Sequence, residues 1–189
     1  MHKTRAVEKI SEAVKLILVE LGEDPSRDGL QKTPDRAAKA IMTLTSGNYL
    51  NPVAILQEAI FPREGRGLIL VKDIAVYSLC EHHLLPFFGR VHVAYIPEES
   101  IVGLSKIPRV VKAFAQRLQI QERLTTQVAR CIDEALRPRG VAVVIEATHL
   151  CMAMRGVEKE TASTTTDCFL GQFERDDGAR RDFWRAVGR

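Results

Sequence analysis

Apolar side chains at Val7, Ile10, Val14, Ile17, Leu18 and Leu21 recur with helical spacing and predict a helix over about 5–21, with Gly22 as its stop. A polar loop follows to Lys32. Thr33-Pro34-Asp35 then reads as N-cap, first helical residue and acidic first turn of a second helix, running to about Ser46 and ending at Gly47. Residues 48–67 carry no period and are punctuated by Pro52, Pro62, Gly65 and Gly67, so they read as irregular. The stretch 68–78 is β-like. Across 90–96, Val91, Val93 and Tyr95 fall on one face of a strand, and the two segments predict an antiparallel pair. After Pro97 and a turn at Gly103-Leu104-Ser105-Lys106, Val110, Val111, Phe114, Ala115 and Leu118 mark a third helix. Leu124, Val128, Cys131, Ile132, Ala135 and Leu136 mark a fourth, ending at Pro138-Arg139-Gly140. Residues 141–150 form the clearest strand, the threonine-rich 161–173 can pair with it, and 176–187 predicts a last, charged helix.

That order of helices, hairpin, two helices, hairpin and helix is α+β with an antiparallel sheet. Four strands leave two bare edges, which closure against neighbouring subunits would remove. The chain divides into an N-terminal helical region, 1–47, and a larger region, 48–189, that carries the candidate chemistry described below, the two acting as one functional domain. It shows no internal repeat or linker.

Composition narrows the function. The 189 residues are 46% hydrophobic, 27% charged and 6% aromatic, ordinary for a globular chain with a real core. A net charge of +3 is too mild to argue for nucleic acid, though local Lys and Arg clusters suit an anionic substrate. No apolar run approaches the ~20 residues of a membrane span, and the amphipathic N-terminus lacks the apolar core of a signal peptide. The expectation is a cytoplasmic protein that binds neither membrane nor nucleic acid. In that setting the four cysteines, Cys80, Cys131, Cys151 and Cys168, are free thiols or metal ligands rather than disulfides.

Chemistry concentrates at Cys80-Glu81-His82-His83. Cys80 and His83 have the C-x-x-H spacing that lets a thiolate and an imidazole reach one metal ion. If the 141–150 strand runs one residue further, His149 and Cys151 point to the same side, and Cys151 completes a three-ligand site. Cys-His-Cys suits zinc with a position left for water, and leaves His82 and His149 for acid–base work. Two alternatives stand beside it: a closed structural zinc site using Cys80, His83, His149 and Cys151, or buried thiols with satisfied histidines.

Lys106 and Arg109, three apart near a helix start, form a candidate phosphate grip with Ser105. Arg155 follows Cys151 closely, and Arg36 lies in the second helix; any one of them alone is usually a solvated surface charge. Glu122, beside Gln121, can accept hydrogen bonds from a guanine edge, or be a surface carboxylate. Cys131 reads as core and His92 as structural; Cys168 has no evident partner, and His2 is uninformative.

These residues resemble the GTP cyclohydrolase I family. The matching stretches are Ser78-Leu-Cys-Glu-His-His83, Val93-Ala-Tyr-Ile-Pro97, Gly103-Leu-Ser-Lys-Ile107, Gln121-Glu-Arg-Leu-Thr125, His149-Leu-Cys151, Arg155-Gly-Val157 and Thr164-Thr-Thr166, in order over residues 5–187. The resemblance implies the tunnel fold: a four-stranded antiparallel sheet with two helices, preceded by N-terminal helices and closed into a barrel by oligomerisation. It also implies a homodecamer with active sites between subunits. By motif, Cys80, His83 and Cys151 would hold Zn2+; Gln121 and Glu122 would recognise guanine; Ser105, Lys106, Arg109 and Arg155, with Arg36 from another subunit, would contact the ribose triphosphate. The implied reaction converts GTP and water to 7,8-dihydroneopterin triphosphate and formate, the first step of pterin and tetrahydrofolate biosynthesis. In it His149 moves protons at the imidazole ring, and His82 with Ser105 assists ribose opening.

Two rivals remain at this level. The 7-cyano-7-deazaguanine reductase type shares the fold and uses a cysteine nucleophile with a nicotinamide cofactor; His82-His83 and His149-x-Cys151 favour hydrolysis over it. A non-catalytic zinc-stabilised binding module would need neither spare histidines nor a basic grip.

Overall fold

The computed structural model describes residues 2–65, 67–155 and 162–188, in two compact units, Met1–Ser46 and Gly47–Arg189. In the first unit, α1 (His2–Glu20) and α2 (Thr33–Leu44) pack on each other. Gly22 stops α1 as expected: at φ +79° its N–H donates to Val19 O, and the Glu23 N–H donates to Leu18 O, a Schellman closure. Thr33 is not the N-cap of α2. Lys32 holds that position, and the Thr33 hydroxyl instead donates to Gly29 O.

The stretch expected to be irregular is ordered. It holds a 3-10 turn (Ser46–Tyr49), the short helix α3 (Pro52–Gln57) and strand β1 (Ile60–Pro62). Asn51 caps α3 by accepting the Ala54 N–H, with Pro52 at its first position. Gly47 does not end α2 either. A Cβ there would lie 2.0 Å from Ala113 O, so the glycine is needed for close backbone approach.

The main sheet has strand order β5-β2-β3-β6-β7, from β2 (Ile69–Cys80), β3 (Pro86–Ile96), β5 (Leu118–Gln119), β6 (Gly140–His149) and β7 (Thr164–Gly171). Four strands pair antiparallel as expected. The fifth, β5, is a two-residue strand added parallel to the end of β2. A separate two-stranded sheet joins β1 to β4 (Ser100–Val102). Strand β3 starts at Pro86, earlier than its alternation suggests; proline is tolerated as a first strand residue. Strand β6 ends at His149, and Leu150–Ala153 make one helical turn, α6. Residue 161 of the last predicted strand lies outside the described residues.

Val91, Val93 and Tyr95 all enter the main core, as their alternation predicts. They pack with Val141, Val143 and Ile145 against α4 (Lys106–Ala115) and α5 (Gln121–Leu136). Cys131 lies in this core. Part of the other face, at Ala94, Ile96, Ala142 and Val144, is covered by Phe173 of α7 (Gln172–Arg175) and Phe183 of α8 (Asp177–Val187). His92 is buried and structural. Its Nδ1 accepts the Asp73 N–H at a β-bulge, where Asp73 has φ +58°. Among the described residues, no helix is long and apolar enough to cross a membrane.

Candidate metal centre and active site

Strand β2 delivers Cys80 to its last position, where the chain turns tightly. Cys80 N–H donates to Leu85 O and Cys80 O accepts from Leu84 N–H, with Leu84 in the left-handed region at φ +57°. This closure leaves Glu81, His82 and His83 at the tip of the β2–β3 hairpin. Cys80 Sγ lies 3.8 Å from His83 Nδ1 and 3.9 Å from His82 Nδ1.

Cys151 joins them by a route the alternation argument missed. It sits on the α6 turn rather than on an extended β6, so it does not share a strand face with His149. Even so, one ligand atom each from Cys80, His83 and Cys151 lies within 4.8 Å of the others. Two soft thiolates and an imidazole at that spacing match the donor set and reach of zinc, with bonds of about 2.0–2.3 Å. Burial pushes the Cys151 thiol up, the neighbouring Cys80 adds to this, and Arg155 pulls the other way. Arg155 is therefore close to Cys151; the Gly156-Val157 part of its motif lies outside the described residues.

Glu81 braces the hairpin tip. Its N–H donates to Gln119 O, and its carboxylate accepts from both terminal nitrogens of Arg123, at 2.8 and 2.6 Å. Neither the β5 contact nor Arg123 stands out in the sequence, because each matters only through the fold.

His149, paired across the sheet with Phe87, stacks on that ring at 4.6 Å and 8°. Its Nε2 lies 2.7 Å from Gln121 Oε1. Gln121, at the start of α5, is buried, and its amide nitrogen donates to Ile145 O, Thr164 O and Thr166 Oγ1. Two of those partners are carbonyl oxygens, which only accept, so the amide cannot flip. Its oxygen must face His149, and neutral His149 then carries its proton on Nε2 and leaves Nδ1 as the acceptor. Burial pulls the His149 pKa down, while nearby Glu122 opposes the shift. Glu122, exposed on the first turn of α5, is thereby placed beside His149.

The phosphate candidates form a second group. Ser105 is the exposed N-cap residue of α4 and makes no capping bond through its hydroxyl. Lys106 is buried and its ammonium lies 2.5 Å from Glu58 Oε2; Arg109 is exposed. The far end of α4 approaches the metal end of β2, where the Ser78 hydroxyl donates to Ala115 O at 2.7 Å. The two groups therefore sit toward opposite ends of α4, about 14 Å of helix apart at ~1.5 Å per residue. Arg36 is exposed on α2, in the first unit. Cys168 acquires a partner the sequence did not suggest, a hydrogen bond with Thr126.

A Cys-His-Cys donor set beside an oriented imidazole and an exposed carboxylate is the make-up of a metal-assisted hydrolytic centre. The family model described as GTP cyclohydrolase I matches residues 10–188, and the chain belongs to that family. It is 55% identical over 179 residues to GTP cyclohydrolase 1 of Chlorobaculum tepidum, covering 95% of this chain and 80% of the relative. It is 52% identical over 189 residues to that of Porphyromonas gingivalis, covering 100% of this chain and 97% of the relative. Against that of Leptospira biflexa it is 55% identical over 170 residues, covering 90% and 93%.

Proposed function

We propose that this chain is a GTP cyclohydrolase I: it opens the guanine imidazole ring of GTP hydrolytically, releases formate, and yields 7,8-dihydroneopterin triphosphate. The observation that carries the reading is the convergence of Cys80, His83 and Cys151 within 4.8 Å. Beside them stands His149, oriented by Gln121 and next to Glu122.

Cys80, His83 and Cys151 hold Zn2+, which when bound supplies Lewis acidity for hydrolysis near neutral pH. Glu122 accepts hydrogen bonds from the N1–H and 2-amino group of guanine. Gln121 adds a first-turn main-chain amide, its side chain being committed to the protein. His149, its Nε2–H held by Gln121, takes up a proton at Nδ1 and passes it to N7 as the ring opens, then moves protons by the same atom in later steps. His82 and Ser105 assist opening of the ribose, while Lys106, Arg109, Arg155 and Arg36 neutralise the triphosphate.

The active site is shared between subunits of a homo-oligomer, a decamer whose sheets close into a barrel. Supporting this, Ser105, Lys106 and Arg109 start α4, whereas its other end meets Ser78 near Cys80 of the same chain, so a neighbour's grip would complete the pocket. The reaction takes place in the cytoplasm and feeds pterin and tetrahydrofolate synthesis.

Incubating zinc-loaded protein with GTP and assaying formate and dihydroneopterin triphosphate tests the reading. Both are expected; appearance of neither overturns it.

A further inference from the structure

Lys106 has a partner that the proposed reaction does not use. Its side chain is only 10% exposed, whereas that of Glu58, 2.5 Å away, is 63% exposed. A buried ammonium needs a counter-charge, and a carboxylate on a solvent-facing stem can leave it.

Glu58 is not there by the chance of a long side chain. It caps the C-terminal end of α3, whose Leu56 is fully buried. The next residue fixes the approach: Ala59 O accepts the Gly103 N–H at 2.9 Å, and Ile60 pairs with Val102. Gly103 O in turn accepts the Lys106 N–H. The end of α3 is thus tied by backbone bonds to the turn that starts α4. The carboxylate also lies close enough to Lys106 and Arg109 for both to hold its pKa down, the Lys106 hydrogen bond most strongly. One carboxylate therefore faces two cations with the chemistry that a phosphate oxygen would offer.

We infer that Glu58 is a specificity-determining residue of the phosphate grip: its carboxylate occupies Lys106 until a polyanionic tail displaces it. This rests on the reading of Lys106 and Arg109 as the triphosphate site. A ligand that reaches Lys106 must compete with Glu58, and one that lacks phosphates does not. Glu58 thereby weakens binding of every phosphate-bearing ligand that exchanges with it and leaves guanosine untouched. Only ligands with enough negative charge to engage Arg109 as well recover the loss.

The test is calorimetric binding of inorganic tripolyphosphate and of guanosine to the full-length oligomer, wild type and Glu58→Gln. Glu58 is exposed, so the variant is expected to fold as wild type does. Removing the competing charge should tighten tripolyphosphate roughly two- to fivefold, the scale of a partly exposed ion pair, with guanosine unchanged. In a Lys106→Ala background the same substitution should have a clearly smaller effect, the part that Arg109 still carries. Weaker or unchanged tripolyphosphate binding would show that Glu58 only positions Lys106 and would overturn the inference. Tightening that is undiminished without Lys106, or that extends to guanosine, would overturn it as well. The GTP-to-formate assay on wild type is a separate readout: its failure sinks the functional reading, whereas failure of the binding arm with formate still produced sinks only the role of Glu58.

Discussion

Gln121 Oε1 sits 2.7 Å from His149 Nε2, while the other end of the same amide is held by Ile145 O and Thr164 O. A buried amide thus joins α5, β6 and the chain entering β7, and sets the tautomer of an imidazole beside the metal ligands. Gln121→Ala removes the donor to two carbonyls and frees the His149 ring. The expected outcome is a loss of about 1–3 kcal/mol in unfolding free energy, measured by denaturant titration. It should also lower kcat while the KM for GTP changes little. A rise in KM with kcat preserved would instead assign the Gln121 side chain to substrate binding.

His149→Ala gives the complementary result. The ring is half-buried and stacks on Phe87, so the fold should survive its loss. Turnover of GTP to formate should fall by roughly 10²–10⁴-fold, the usual contribution of a positioned acid–base group. Zinc content should hold at the wild-type value. Intact turnover in this variant would remove His149 from the proton transfer.

Thiol reactivity separates the half-buried Cys151 from the buried Cys131. With zinc removed by a chelator, formate production should stop, and Cys151 should react with a thiol reagent faster than it does in the zinc-loaded protein. Cys131 should stay inert at pH 8, because burial pushes its thiol up to about 11 and leaves almost no thiolate. Cys151→Ser should lower bound zinc from roughly one per chain toward zero, read by elemental analysis.

Arg123 is predicted to act on the metal through Glu81, without touching it. The guanidinium fork holds the residue between Cys80 and His82, and so the conformation of the hairpin tip. Arg123→Gln should weaken zinc roughly 10–100-fold in chelator competition. Excess zinc should then restore turnover, which a general loss of folding would not allow.

The helix caps supply a pH test away from the site. Asp176 Oδ1 accepts the Gly178 and Ala179 N–H groups at the start of α8, and the Ala179 bond most strongly, then the Gln172 side-chain amide and the Gly178 bond, hold its carboxyl below the ordinary carboxylate value. A depressed folded-state pKa contributes stability above the unfolded value, and this is lost as pH falls through the folded one. Asp176→Ala should therefore lower the thermal midpoint at pH 7, with the gap to wild type closing in acid below the range where free carboxylates titrate.

Much of this arrangement was legible in the residues. Alternation at Val91, Val93 and Tyr95 marks the core face of β3, and the C-x-x-H spacing marks two of the three residues that converge as a Cys-His-Cys group. What escaped was too short to carry a period or depended on contacts remote in sequence. A six-residue helix and a three-residue strand show no repeat within 48–67, so Glu58 arrived at Lys106 unannounced. Cys151 reaches Cys80 and His83 not through strand alternation but because the chain leaves the strand at His149 and turns helically. The commitment of the Gln121 side chain to Ile145 and Thr164 could not be read from Gln121-Glu122, because those partners lie on β6 and β7.

If the chain assembles as proposed, the placement of the two residue groups makes a prediction about whole oligomers. Lys106 begins α4, while Ala115 at its other end meets Ser78, two residues before Cys80. If each site takes its metal ligands from one chain and its phosphate grip from a neighbour, Cys151→Ser and Lys106→Ala damage different halves of every site. Each variant alone should be inactive or nearly so. Co-expressed in equal amounts, they should assemble hybrid oligomers in which roughly a quarter of the sites receive both intact halves. Recovery of about that share of formate production would establish that sites are shared. No recovery, in oligomers shown by mass to contain both variants, would mean that both groups act on GTP within a single chain, and the distance along α4 would have to be closed by movement of that helix.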